Sequence, residues 1–324
     1  MREIREIADF IKNNESFVIS THVSPEGDAV GSAVGLALAL LNMGKKASVV
    51  MADPVPEFLN FLPGLGLVTR TDRIEGSYDA LIVVDCEPER TGLKDLDKAA
   101  VKTVINIDHH ITNPKTAPLC WVNPDAAAAG EMVYDLVLFM GAPVDLGVAT
   151  NLYTAIFTDT GSFRYSNTDE DALIKAGRLL AYGVNTWEIS ENVYESKSFG
   201  RMKLLGLVLG GIEMSADGRL AWVSVKEEYY KATGTGSEDT DGFINYPRAV
   251  KGVEVALLFR EAGQGRVKVS FRSKGRVNVS GLAESLGGGG HPNASGAVMD
   301  GAIDEVSKKV VAATAGLLKE VFAG

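Results

Sequence analysis

Four histidines occur in the 324 residues, His22, His109, His110 and His291, and each sits in a turn-rich segment beside Asp, Glu or Gly. The first belongs to His22-x-x-x-Glu26-x-Asp28, directly after the apolar, β-branched run Phe17 to Thr21. Asp85 closes a second apolar run, LIVVD, and Asp108-His109-His110 closes a third, TVINI. Asp159 follows an apolar segment in FTDTGSF, with Thr160 and Ser162 as nearby hydroxyls. A carboxylate at the end of a buried strand must find a cation, a donor or water. Taken singly, each acid has a plainer explanation: Glu26 and Asp28 as caps of the following helix, the others as turn formers. Three strand ends that carry acid or imidazole, with a fourth acid after an apolar segment, are the layout expected of a metal site assembled from loops.

The donor types select the ion. Imidazole with several carboxylates and no thiolate suits Mn2+ or Mg2+ ahead of Fe2+ or Zn2+. These donors exceed what one ion needs, and two ions about 3.5–4 Å apart, sharing a carboxylate, would use them. Water activated between such ions serves in-line hydrolysis of a phosphate ester or anhydride. The run GGGGHPNASGA, residues 287–297, adds a second element. Successive glycines let backbone N–H groups converge on an anion, and His291 can donate to a phosphate oxygen. A flexible loop with a surface histidine is the bland alternative. Neither a GxxxxGK[ST] nor a GxGxxG pattern occurs, which removes the usual supports for nucleotide triphosphate motors and dinucleotide oxidoreductases.

The elements that must position these groups are legible as short apolar runs. Phe17 to Thr21, Ala47 to Met51, Ala80 to Val84 and Thr103 to Ile107 fit buried parallel strands. Helical patterns separate several of them, at Val30 to Met43 and Gly130 to Met140, and Asn151 to Thr158 reads as a helix or strand leading into DTGSF. The economical fold is an α/β domain with a mostly parallel sheet and helices on both faces. The character changes after Trp187. Glu188 to Lys203 is charged and helix-prone, and strand-like runs follow at Leu220 to Val225, Val253 to Phe259 and Val267 to Phe271, with a closing helix over Ile303 to Phe322. We expect a catalytic domain over 1–187, a linker over 188–211 and a smaller α/β domain over 212–324.

Composition narrows the function classes. Hydrophobic content is 46% and charged content 23%, the profile of a globular chain rather than a disordered or fibrous one. Glycine is raised at 35 residues, without the three-residue period of collagen. The net charge of −10 argues against a grip on long duplex nucleic acid. Residues 245–280 depart from it, with eight Arg or Lys against two Glu, a local +6 that leaves −16 for the remainder. Such a strip suits a small anionic ligand, or is a solvated strand edge. Two cysteines, Cys86 and Cys120, without a CxxC, exclude a disulfide framework and suit a reducing cytoplasm. The start MREIREIADFIKNN has charges at helical spacing and lacks the apolar core of a signal peptide, and Ala29 to Met43 is too short for a membrane span. We expect a cytoplasmic protein with no membrane partner.

In order and approximate spacing, HVSPEGDAVGS, LIVVD, DHH and FTDTGSF resemble the four motifs of the DHH phosphoesterases, and VSFRSKGRVNV with GGGGHPNASGA resembles the C-terminal DHHA1 domain. The similarity extends over essentially the whole chain and is nearest to the NrnA-like subgroup. It implies a hydrolase that degrades short RNA or DNA oligonucleotides from an end and dephosphorylates 3′-phosphoadenosine 5′-phosphate, with two Mn2+ ions (Mg2+ or Co2+ as substitutes) in an interdomain cleft. By resemblance, His22, Glu26 and Asp85 hold one ion. Asp28, Asp85, His109 and Asp159 hold the second, with Asp85 shared. His110 contacts the scissile phosphate, and Asp108 orients its neighbours. Arg272, Gly288, Gly289, Gly290 and His291 bind substrate phosphate, and a homodimer is a plausible assembly. Two positions depart from the pattern: Glu26 stands where the family usually has Asp, with the same charge on a longer stem, and Ser295 where Ala is frequent. Competing activities are a linear or cyclic dinucleotide phosphodiesterase, an inorganic pyrophosphatase, and a non-catalytic nucleotide sensor with a weakened metal site.

Overall fold

The computed structural model describes residues 2–94, 96 and 100–322. They fall into two units, 1–196 and 197–324 by chain limits. The first contains α1 (Arg2–Lys12), β1 (Ser16–Ser20), α2 (Gly27–Asn42), β2 (Lys46–Met51), β3 (Val68–Arg70), β4 (Ser77–Val84), β5 (Ala100–Asp108), β6 (Leu119–Val122), α3 (Ala129–Met140), α4 (Leu146–Asp159), α5 (Glu170–Leu180) and α6 (Thr186–Ser190). Its six strands form one parallel sheet in the order β3-β2-β1-β4-β5-β6. The order reverses between β1 and β4, the topological switch point at which ligands of open α/β sheets collect beyond the carboxyl ends of the strands.

Periodicity explains the layers. In α1 the buried Ile4, Ile7, Ala8 and Ile11 share one helical face. Helix α2 is buried over nearly its whole length because it is sandwiched, and its small residues allow that: a Cβ on Gly31 would stand 2.5 Å from the Asn151 carbonyl of α4, and one on Gly35 would stand 2.8 Å from Leu152. The main core joins α1 through α5 to the sheet face carrying Phe17, Ile19, Ile82 and Ile105. The opposite face, with Val18, Val50, Leu81 and Val83, meets Ile74, Leu93 and Leu96 from connecting segments among the described residues. The segment around Asn151 is a helix, α4, which delivers Asp159 at its last turn.

The second unit contains α7 (Phe199–Gly210), β7 (Glu213–Met214), β8 (Leu220–Val225), α8 (Glu227–Thr233), α9 (Asn245–Ala249), β9 (Val255–Glu261), β10 (Arg266–Ser273), α10 (Ser280–Ser285), β11 (Gly289–His291), β12 (Ala294–Asp300) and α11 (Ile303–Phe322). Its sheet runs β11-β12-β10-β9-β8-β7, with β8 and β9 parallel and the other pairs antiparallel. One face packs Leu257, Phe259 and Phe271 on α10 and α11. The other packs Ala256 and Leu258 against Leu204 and Leu205 of α7 and Phe243. Helix α7, part of the charged stretch that sequence alone reads as a connector, therefore belongs to the second core.

Candidate active site

The loops after β1, β4 and β5 and the end of α4 bring seven of the candidate groups together. Each acid or imidazole can offer one ligand atom within 4.8 Å of the others in three groupings: His22, Glu26 and Asp85; Asp28, His109 and Asp159; and Asp85, His109 and His110. Asp85 is common to the first and last. Its two oxygens face different imidazoles, Oδ2 lying 3.4 Å from His22 Nε2 and Oδ1 3.3 Å from His109 Nε2. His109 Nε2 also stands 3.8 Å from Asp28 and 4.0 Å from Asp159. The longer stem of Glu26 still places its carboxyl with His22 and Asp85.

Backbone groups fix these side chains. His22 Nδ1 is 2.8 Å from the Val23 carbonyl, and His109 Nδ1 is 3.1 Å from the Ala126 carbonyl. A ring nitrogen that donates there leaves the Nε2 lone pair turned to the acids, the tautomer a metal ligand needs. Asp28 is fully buried and accepts from the Ala129 and Gly130 N–H groups at the start of α3 (2.6 and 2.8 Å) and from Ser32 Oγ (2.8 Å). The helix end holds the carboxylate by unpaired donors and dipole together. Gly130 is required there, since a Cβ would collide with that of Ala155. Asp85 adopts φ +63°, a left-handed conformation that non-glycine residues adopt at a cost and that concentrates at functional sites.

The electrostatics of the cluster are those of crowded carboxylates. Burial, then repulsion from Asp85 and Asp159, pushes the Glu26 carboxyl up to about 7. The Glu26 residue is solvent-exposed, which tempers the burial part and leaves the repulsion. Burial also raises Asp28 and Asp159, with Asp85 adding repulsion to both. Burial disfavours a charged His109, yet the acids around it, led by the Asp85 hydrogen bond, push it up to about 10. Two imidazoles do not balance this group of carboxylates, and divalent cations would. Neutral Nε2 and carboxylate oxygens, without thiolate, are the donors such hard cations prefer. Among the described residues the donor set therefore fits the metal site expected from the sequence.

His110 is turned differently. Its Nδ1 lies 2.7 Å from Asp108 Oδ1, and this bond raises its pKa. Asp108 is fully buried, held low against the effect of burial by donors from His110 and Asn113. Of the residues expected to bind substrate, Arg272 on β10 and His291 on β11 both pair with Ala294 of β12, which puts the two on one sheet face. Arg272 is half-buried, its Nη1 donating to the Phe271 carbonyl, and burial followed by Arg248 lowers its pKa. His291 is exposed. The glycine run forms a hairpin rather than a free loop. A Cβ on Gly288 would strike the Gly296 carbonyl, and one on Gly290 would come within 2.6 Å of the Ala294 carbonyl. Close strand approach is thus the first thing these glycines provide.

Sequence reasoning missed three amides. Asn167 Nδ2 donates to the Ala127 carbonyl (2.9 Å) and to the Asp159 carboxylate (3.2 Å). Asn106 and Asn113 join the ends of β4 and β5. The signal for Asn106 was available: an amide inside an apolar strand must be hydrogen-bonded if buried.

A parallel sheet with acids and imidazoles at its switch point, followed by a second small α/β unit, defines a metal-type phosphoesterase, a hydrolase. The chain belongs to the DHH family: residues 16–156 match the DHH family N-terminal domain and residues 225–316 the DHHA1 domain. It is 36% identical to a bifunctional oligoribonuclease and PAP phosphatase, NrnA, of Thermus thermophilus over 315 residues, 96% of this chain and 93% of that protein. It is 29% identical to the protein of the same name from Bacillus subtilis over 297 residues, 90% and 92% of the two chains. An exopolyphosphatase-related protein from Bacteroides fragilis superposes with a TM-score of 0.91 at 28% identity, covering 98% of each chain. Among the described residues no helix is long and apolar enough to cross a membrane.

Proposed function

We propose that this chain is a two-metal phosphohydrolase, using Mn2+ in preference to Mg2+ or Co2+, that removes nucleotides from the end of short oligonucleotides and the 3′-phosphate from 3′-phosphoadenosine 5′-phosphate. The observation that carries the reading is Asp85, whose two oxygens face His22 and His109 in separate ligand groupings. His22, Glu26 and Asp85 would hold one cation, and Asp28, Asp85, His109 and Asp159 the other. Two cations held there would supply Lewis-acid activation of water for hydrolysis of a phosphate ester.

The chain's own groups do the rest. Asp108 keeps the proton on His110 Nδ1, and the imidazolium donates from Nε2 to a phosphate oxygen whose charge grows in the transition state. The left-handed turn at Asp85 holds its carboxylate facing two ways. Arg272 and His291, on one face of the second sheet, bind a substrate phosphate. The relatives named for oligoribonuclease and PAP phosphatase activity support this substrate class, and the net charge of −10 speaks against long duplexes.

The test is a substrate panel of linear dinucleotides, RNA trimers to pentamers and 3′-phosphoadenosine 5′-phosphate, each with Mn2+, Mg2+ and Co2+. Turnover of the short RNAs and of the 3′,5′-nucleotide is expected, fastest with Mn2+. A protein that leaves the whole panel intact is not this enzyme. Turnover confined to dinucleotides would move the assignment to a dinucleotide phosphodiesterase.

A further inference from the structure

Asn106 is fully buried in β5, on the sheet face opposite Ile105 and Ile107. Its Nδ2 donates twice, to the Val83 carbonyl of β4 (3.2 Å) and to the Cys86 carbonyl just beyond it (2.7 Å). Those two carbonyls bracket Asp85, the residue at φ +63°. The Asp85 N–H itself stays in the ladder, donating to the Ile107 carbonyl at 3.0 Å. One amide thus closes the turn that aims Asp85.

The other end of the same amide reaches the second catalytic group. Asn106 Oδ1 accepts from Asn113 Nδ2 (2.8 Å), and the same nitrogen donates to Asp108 Oδ2 (2.5 Å). Asp108 Oδ1 accepts from the His110 backbone N–H and from His110 Nδ1. Asn113 Oδ1 accepts from the Lys115 N–H at 2.8 Å. Every amide donor and acceptor in this buried chain is used. A fully satisfied buried network holds one arrangement and tolerates little else.

We propose that Asn106 is a positioning residue of the hydrolytic site: one buried amide couples the left-handed turn that presents Asp85 to the Asp108–His110 pair. This rests on the reading that Asp85 and His110 serve a metal-dependent hydrolysis. The two arms are separable. The Cys86 arm acts on Asp85, and so on metal binding. The Asn113 arm acts on His110, and so on turnover.

The experiment compares Asn106→Leu and Asn113→Ala with Ile7→Ala, a core substitution in α1 that touches none of these groups. Mn2+ affinity is measured by calorimetry, kcat and KM on an RNA trimer, and the His110 Nδ1 proton by its downfield NMR resonance in chelator-treated protein. Asn106→Leu is expected to lower Mn2+ affinity and kcat each by about 10–100-fold, leave KM little changed and erase the proton signal. Asn113→Ala is expected to lower kcat and broaden the signal while Mn2+ affinity stays at the wild-type value. Ile7→Ala is expected to lower the melting temperature without moving any of these readouts. If Asn106→Leu does not fold, Asn113→Ala alone decides through its split between kcat and affinity. Wild-type Mn2+ affinity and kcat in Asn106→Leu, or a kcat in Asn113→Ala no lower than in Ile7→Ala, overturns the proposal. Should the wild-type protein prove inactive on every phosphoester, the functional reading fails by itself, while calorimetry and the proton signal still report on the coupling.

Discussion

The cluster at the strand tips of the first unit and the Arg272–His291 face of the second are built in opposite ways. In the first, nearly every polar group has a second bond that fixes it: Asp28 on two backbone N–H groups, His22 and His109 on carbonyls, His110 on Asp108. In the second, Arg272 donates to the carbonyl of the residue before it, and His291 is exposed on a short edge strand. A site that gathers repelling carboxylates must be held rigid by its surroundings, because its own groups push apart. A site that binds an anion by complementary charge can leave its arms loose and let the ligand order them. The first region should therefore respond to substitution in kcat and metal binding, the second in KM.

Asp85→Ala should give the largest effect. Loss of a carboxylate shared by two cations is expected to lower kcat roughly a thousandfold, about 4 kcal/mol of transition-state stabilisation, read by steady-state turnover of an RNA trimer. Arg272→Ala should act through KM instead. Removing a charge-assisted bond worth about 1.5–3 kcal/mol raises KM roughly 10–100-fold with kcat nearly unchanged; an equal fall in kcat would erase the contrast between the two regions. Gly288→Ala tests the hairpin sterically. A Cβ there meets the Gly296 carbonyl, and the melting transition should lose about 1–3 kcal/mol while Mn2+ binding to the first unit is unaffected.

The pH dependence is the smallest and the most diagnostic of mutual repulsion. Glu26 has its folded pKa raised to about 7 from 4.5, so the folded state holds this proton longer than the unfolded one. Stability from that proton is present below 4.5 and is lost as pH rises through 7. Asp85, held low at about 2 because its imidazole donors outweigh burial, contributes steadily across that window. His109, raised to about 10, keeps its contribution until above 6.5. Chelator-treated protein should accordingly lose melting temperature between pH 5 and 7, and Mn2+ should restore it. A rise over that window in the chelator-treated protein would contradict the crowding of acids.

Much of this was legible in the residues. Buried parallel strands announce themselves as β-branched runs, and each acid or imidazole at a run's end has few ways to be satisfied, so the gathering of His22, Asp85 and the Asp108–His110 triplet was readable in advance. Leu220–Val225 and Ile303–Phe322 emerge with the limits expected of them. Three features were hidden for physical reasons. Asn106 disappears inside TVINI because its amide is satisfied by carbonyls of another strand. The glycines of 287–290 have one composition for two purposes, an anion nest or a close hairpin, and backbone proximity alone separates them. The stretch 188–203 is charged and helix-prone throughout, so the break between the π-helical turn Glu191–Glu195 and α7 leaves no mark in its pattern.

The central claim is that Asp85 gathers two divalent cations. Calorimetric titration of metal-free protein with Mn2+, run beside Asp85→Ala, tests it most directly. The account predicts two ions per wild-type chain and the loss of both tight sites in the variant; a wild-type chain that takes up one ion or none, or a variant that still binds two, contradicts it.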